Sequence, residues 1–145
     1  MEYCFDISSE QEMLFLGEKI ANRIKRGAFI ALYGELGAGK TVLVKGIANG
    51  LNVKERVTSP TFTIMCQYFG KKELYHFDLY RVSEDDCYSM GFDDFFFDPD
   101  VICAVEWSEH LSYLPENTMT VTLEKTGKSS RRVIINDSKE IMEKL

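Results

Sequence analysis

The chain has 145 residues, 45% apolar and 28% charged, with a formal net charge of −6. That length and balance suit one soluble domain, residues 1–145, around one core. They come with no apolar run near the roughly 18 residues of a membrane span, and the negative charge argues against tight, independent binding to DNA or RNA, whose phosphates demand cations.

Tyr3, Phe5 and Ile7 alternate with polar residues, as on a half-buried strand. Ser8 supplies a helix N-cap with Gln11 in the capping-box position. Met13, Leu16, Gly17, Ile20, Ala21 and Ile24 follow at helical spacing, so one face of that helix packs inward. Gly27 is the predicted stop. Residues 28–33 form a continuous apolar run, the mark of a strand buried on both faces of a parallel sheet. A glycine-rich loop comes directly after, and a helix over 40–51 buries Leu43, Ile47 and Leu51.

Residues 61–69 and 73–79 are apolar, aromatic and β-branched, with Gly70-Lys71-Lys72 between them, which predicts a hairpin. Ser83 caps a short helical piece ending near Gly91, and 92–97 add another turn. A second continuous apolar run, 101–105, is again a central strand. Segments 118–124 and 131–136 pair as closing strands, with Lys71-Lys72 and Arg131-Arg132 as solvated turn and strand ends. Ser138 opens a short terminal helix. The predicted fold is α/β: a P-loop NTPase-like mixed sheet, mostly parallel with antiparallel strands, and helices on both faces.

Chemistry enters at Gly34-Glu35-Leu36-Gly37-Ala38-Gly39-Lys40-Thr41, which satisfies G-x-x-x-x-G-K-[ST]. Glycines let several backbone N–H groups converge on one concavity at a helix N-terminus, where the partial positive charge favours phosphate. In this pattern Lys40 meets the β- and γ-phosphates and the Thr41 hydroxyl ligates Mg²⁺. An ordinary glycine turn is the plain alternative, but average composition yields this pattern by chance in roughly half a percent of chains this long. The flanking strand and helix complete the context. A P-loop also needs an acidic group near the metal. Glu106 closes the run 101–105 and shares a face with Ile102 and Ala104; the competing reading is a strand end emerging into solvent. Asp78 ends the other candidate strand, on one face with His76, and a second carboxylate there could orient water. His76 by itself reads as a satisfied core or edge histidine. Thr58-Ser59-Pro60-Thr61 is either a Ser-Pro turn or a switch that senses the γ-phosphate.

Taken in order, the loop at 34–41, Thr58-Ser59-Pro60-Thr61-Phe62, His76-Phe77-Asp78-Leu79-Tyr80-Arg81 and Val105-Glu106-Trp107 resemble the TsaE family, formerly YjeE, over nearly the whole chain, weakening after about Leu123. The resemblance implies an ATPase required for the tRNA modification threonylcarbamoyladenosine. It implies association with the TsaD–TsaB pair, whose complex ATP hydrolysis resets, and contact with tRNA only through that complex. Carried onto this chain, the nucleotide is held by Glu35, Leu36, Gly37, Ala38, Gly39, Lys40, Thr41, Val42, Thr61 and Trp107. The metal falls to Thr41, Glu106 and Thr61, and catalysis to Lys40, Asp78 and Glu106, with Asp78 in the second switch. The family often has Asp where Glu35 stands and Thr where Val42 stands, both outside the fixed positions. Segment 93–99, crowded with Phe and Asp, matches none of its motifs.

Three other functions compete. A small-molecule kinase usually closes an arginine-bearing lid, and no lid-sized insertion is visible. A GTPase usually carries Asn-Lys-x-Asp after a strand, and Asn136-Asp137-Ser138-Lys139 has the wrong order. A module that binds nucleotide only to gate a partner stays open. Cys4, Cys66, Cys87 and Cys103 show no C-x-x-C spacing, so zinc is disfavoured and the thiols are expected reduced and mostly buried, as in the cytoplasm; a disulfide pair stays open. The N-terminal residues have no basic region followed by an apolar stretch, so no signal peptide is expected.

Overall fold

The computed structural model describes residues 1–145. The elements run β1 (Glu2–Ile7), α1 (Glu10–Arg23), β2 (Ala28–Tyr33), α2 (Lys40–Gly50), β3 (Met65–Phe69), β4 (Glu73–Asp78), α3 (Glu84–Ser89), α4 (Phe92–Phe96), β5 (Ile102–Glu106), β6 (Thr118–Lys125) and β7 (Arg131–Asn136). A single 3₁₀ turn, Ser108–His110, follows β5. All strands join one seven-stranded sheet in the order β1-β7-β6-β2-β5-β4-β3. Strands β4, β5, β2 and β6 are parallel neighbours, while β3 pairs antiparallel with β4, β7 with β6, and β1 with β7.

Period-two alternation divides the core between the two faces. Ile30, Leu32, Ile102 and Ala104 point to the side covered by α1 and α2. Phe29, Ala31, Cys103 and Val105 point to the other side, where Phe92 and Phe96 of α4 pack edge-on against Phe77 and Phe29. The phenylalanine-rich segment that matched no family motif is thus the lid of this second core. Strands β2 and β5 are apolar on both faces because both faces are covered. Helices α1 and α2 approach so closely that a Cβ at Gly17 or Gly46 would run into a backbone carbonyl of the other helix, Leu43 and Leu14 respectively.

Local details depart from the sequence expectations. Ser9, not Ser8, caps α1: its hydroxyl accepts the Glu12 N–H, while the Ser8 hydroxyl donates to the Glu12 carboxylate at 2.6 Å. Counting from Ser9 puts the stronger acceptor, Glu12 rather than Gln11, at the third helical position. Helix α1 ends at Arg23, and Ile24 turns extended to bridge Met142; Gly27 does not stop the helix but lies against the carbonyls of Pro99 and Val101. Strand β3 starts at Met65 rather than at 61, because the Ile64 N–H closes a turn onto the Pro60 carbonyl at 2.7 Å. The terminal helix does not form. Asp137 is buried and its carboxylate accepts the N–H groups of Ile141 and Met142, which folds the chain end back onto α1. All four cysteines are free thiols, with Cys87 and Cys103 buried, Cys66 half-buried and Cys4 exposed, so burial is less general than expected.

Candidate functional site

The C-terminal ends of β2, β4 and β5 open on one side of the sheet, and the loop after β2 curls over them. Gly37 and Gly39 take φ of 81° and 106°, values that a side chain resists, and Gly39 leads directly into α2. The first helical residue, Lys40, bends back so that its ammonium donates to the Gly34 carbonyl at 2.6 Å and lies 3.1 Å from Glu106 Oε1.

Glu106 does not emerge into solvent. Parallel register sets it beside Leu32 on β2 and beside Asp78 on β4, at the lip of the sheet face that α2 covers. Its other oxygen, Oε2, accepts from His76 Nε2 at 3.0 Å. Burial pushes this carboxyl's pKa up, but the His76 bond and charge and the Lys40 ammonium outweigh it and hold the pKa below the ordinary carboxylate value. Asp78 is nearly buried, and its Oδ1 accepts the Tyr80 N–H at 3.0 Å, which fixes the carboxylate at the start of the following turn.

Around these groups lies a cleft of about 770 Å³. It is lined by Glu35, Leu36, Gly37, Gly39, Lys40, Thr41, Val42, Thr61, Asp78, Glu106 and Trp107. Of the residues that the family resemblance assigns to nucleotide, metal or catalysis, only Ala38 is absent from the lining: it is fully buried beneath the loop. Trp107 has a left-handed φ of 65°, is 40% exposed and packs against Tyr80 with ring centroids 4.9 Å apart. The two segments suspected as switches touch. Arg81 donates to the Thr61 carbonyl at 2.6 Å and lies 5.7 Å over the Phe62 ring, which is otherwise 86% exposed. Ile64, β-branched yet at φ 70°, follows the first segment by two residues, and its carbonyl accepts the Asp78 N–H at 2.8 Å. The turn is thereby tied to the end of β4.

Two contributions to the cleft were not foreseen. Ile7, Ser8, Ser9, Glu10 and Met13 wall it from the β1–α1 junction, and Lys128, Ser129 and Arg131 wall it from the β6–β7 hairpin. Arg131, the half-buried first residue of β7, does more than end a strand: it donates to the Gly37 carbonyl at 3.2 Å, inside the glycine-rich loop. No local signal marks this contact, which depends on β6 lying next to β2. Nowhere do three His, Cys, Asp or Glu side chains converge as a metal cage. The cleft does hold the Thr41 hydroxyl and, at the ends of β4 and β5, the carboxylates of Asp78 and Glu106. That donor set suits a hard divalent cation shared with phosphate oxygens rather than one enclosed by protein alone.

A buried parallel strand, a glycine-rich loop at a helix N-terminus and an acidic end on the adjacent strand together define the P-loop nucleotide-binding fold. Within it, a family model described as "Threonylcarbamoyl adenosine biosynthesis protein TsaE" matches residues 7–134, and the chain belongs to that family. It is 36% identical over 129 residues to the tRNA threonylcarbamoyladenosine biosynthesis protein TsaE of Treponema pallidum, a match covering 88% of this chain and 95% of the relative. The Bacillus subtilis protein of the same name is 40% identical over 111 residues, covering 75% of this chain and 69% of the relative. The crystal structure of Bacillus subtilis YdiB is similar with a TM-score of 0.81 at 28% identity, covering 97% of this chain and 89% of that one.

Proposed function

We propose that this protein binds and slowly hydrolyses ATP with Mg²⁺, and supports threonylcarbamoyladenosine modification of tRNA by associating with TsaD and TsaB homologues and resetting their complex. The observation that carries the ATPase reading is the meeting of Lys40 and Glu106 at the mouth of the glycine-rich loop, with Asp78 one strand away. The pathway comes from the family. The chain works as a single domain in the cytoplasm; no helix in it is long and apolar enough to cross a membrane.

In this reading the N–H groups of residues 35–42 cradle the phosphates, and Lys40 exchanges the Glu106 oxygen for a phosphate oxygen. Thr41, Glu106 and Thr61 supply the oxygens that hold Mg²⁺, which when bound screens the phosphate charge. Asp78 orients the attacking water or the second switch, and Trp107 borders the nucleotide. The cleft walls at the β1–α1 junction and the β6–β7 hairpin take the nucleoside end. Phosphoryl transfer depends on positioning and on charge that neutralises the transition state. Arg81, within the second switch motif, is engaged with Thr61 and Phe62, and Arg131, which lines the cleft, is engaged with the carbonyls of Gly37, Gly127 and Ser130. Neither is free for the γ-phosphate, so the constellation is incomplete and turnover by the isolated chain is slow. A net charge of −6 leaves tRNA to the partners.

Steady-state ATP turnover measured against TsaD–TsaB concentration tests this, paired with partner affinity in ADP and in a non-hydrolysable ATP analogue. Turnover should rise with the pair, and affinity should be higher with the analogue. Fast turnover alone, indifferent to the pair, would revive the kinase reading. Nucleotide-dependent affinity without turnover would leave a gating module.

A further inference from the structure

We propose that His76 is a positioning residue for the nucleotide site: it fixes the rotation of the Glu106 carboxylate so that Oε1 faces the glycine-rich loop, and so sets how much divalent cation nucleotide binding requires. The proposal rests on the nucleotide reading above and deepens it.

His76 lies on β4 in register with Ala104 of β5, one pleat below the Asp78–Glu106 pair. It is fully buried, and its neighbours on that face, Leu74, Ile102 and Ala104, are apolar. An ionised carboxylate only accepts hydrogen bonds, so the short contact to Oε2 is a donation from Nε2–H. The other ring nitrogen, Nδ1, is buried with no partner. A polar atom buried unpaired is destabilising, and an apolar side chain would fill the same space without that cost. An imidazole here is therefore explained by what its one bond does, not by packing. A glutamate at a strand end has three free torsions. With Oε2 tethered from below, the carboxylate plane is set and Oε1 stays at the level of Lys40 Nζ. Partners that orient a metal-binding group typically change metal affinity or activity by 10–100-fold when removed.

The test titrates Mg²⁺ into protein with ATP and reads binding from Trp107, the only tryptophan in the chain. The proteins compared are wild type, His76→Leu, His76→Gln and His76→Asn, with a thermal melt of each. A Gln amide nitrogen can reach the position of Nε2; an Asn amide falls short of it. The Mg²⁺ midpoint should rise about 10-fold or more in His76→Leu and His76→Asn and stay near wild type in His76→Gln. Equal midpoints in all four proteins, or a Gln variant as impaired as the Asn variant, would overturn the proposal. Should His76→Leu fail to fold, the Gln and Asn pair decides. If wild type itself shows no Mg²⁺-dependent binding, the nucleotide reading fails first, and the two failures are thereby told apart.

Discussion

Lys40 Nζ and Glu106 Oε1 stand 3.1 Å apart, joining the first residue of α2 to the last residue of β5. Both side chains are largely shielded from water, so their attraction is little screened by salt. An incoming phosphate must therefore offer Lys40 more than Glu106 does. The same exchange frees a carboxylate oxygen at the place where a cation shared with that phosphate would be held.

Lys40→Ala should abolish measurable nucleotide binding while leaving a cooperative fold. Lys40 meets phosphate as a point charge, and Glu106 keeps its second tether, His76, when the lysine is gone. Trp107 fluorescence on nucleotide addition, with a circular-dichroism melt, checks both halves. Nucleotide affinity unchanged in a folded Lys40→Ala protein would defeat the P-loop assignment.

Glu106→Gln and Asp78→Asn should each lower ATP turnover by at least ~100-fold, the size of lost positioning or proton transfer. Their routes differ. Glu106→Gln should also shift the Mg²⁺ dependence, because it removes the carboxylate facing Lys40. Asp78→Asn should leave that dependence alone and lower kcat. Steady-state kinetics at several Mg²⁺ concentrations separates the two, and full activity with unchanged Mg²⁺ dependence in Glu106→Gln would remove its role.

Stability should carry a pH signature from Glu106. Its folded pKa is depressed below the ordinary 4.5, so its contribution is present above that value and is lost as pH falls through the lower folded value. Denaturant unfolding without divalent cations, followed from about pH 6 down to about pH 3, should therefore show a steeper acid loss in wild type than in Glu106→Gln. Parallel curves would mean that His76 and Lys40 do not stabilise the ionised form.

Arg81→Ala should uncouple the two candidate switch segments. Its guanidinium is the side chain that binds the Thr61 carbonyl and covers Phe62. Coupling between nucleotide state and partner affinity, typically 5–150-fold in allosteric proteins, should collapse toward none. ATP affinity should hold, since Arg81 does not line the cleft. Titration of TsaD–TsaB against the variant in ADP and in an ATP analogue makes the comparison; a full nucleotide preference in Arg81→Ala would assign the coupling elsewhere.

What the sequence determined by itself was whatever is written locally. The phosphate loop is contiguous, and its glycines, lysine and threonine act through backbone geometry that a few neighbouring residues impose. Strands β2 and β5 were legible because burial on both faces leaves an unbroken apolar run, and Glu106 stood out as the charge that ends one. Competing local options were resolved only by context. Ser8 reads as the cap of α1 from the sequence, but the helix took Ser9, which puts Glu12 at its third position. The tail looked helical until Asp137 found two backbone N–H groups to hold. Contacts between strands distant in sequence were decided by tertiary structure alone. The parallel register of β4 with β5 turned a lone buried histidine into the tether of Glu106. The pairing of β6 with β2 brought Arg131 from an apparent strand end to the carbonyl of Gly37. Such pairings are specified by the summed burial of whole strand faces, so no short stretch of residues announces them.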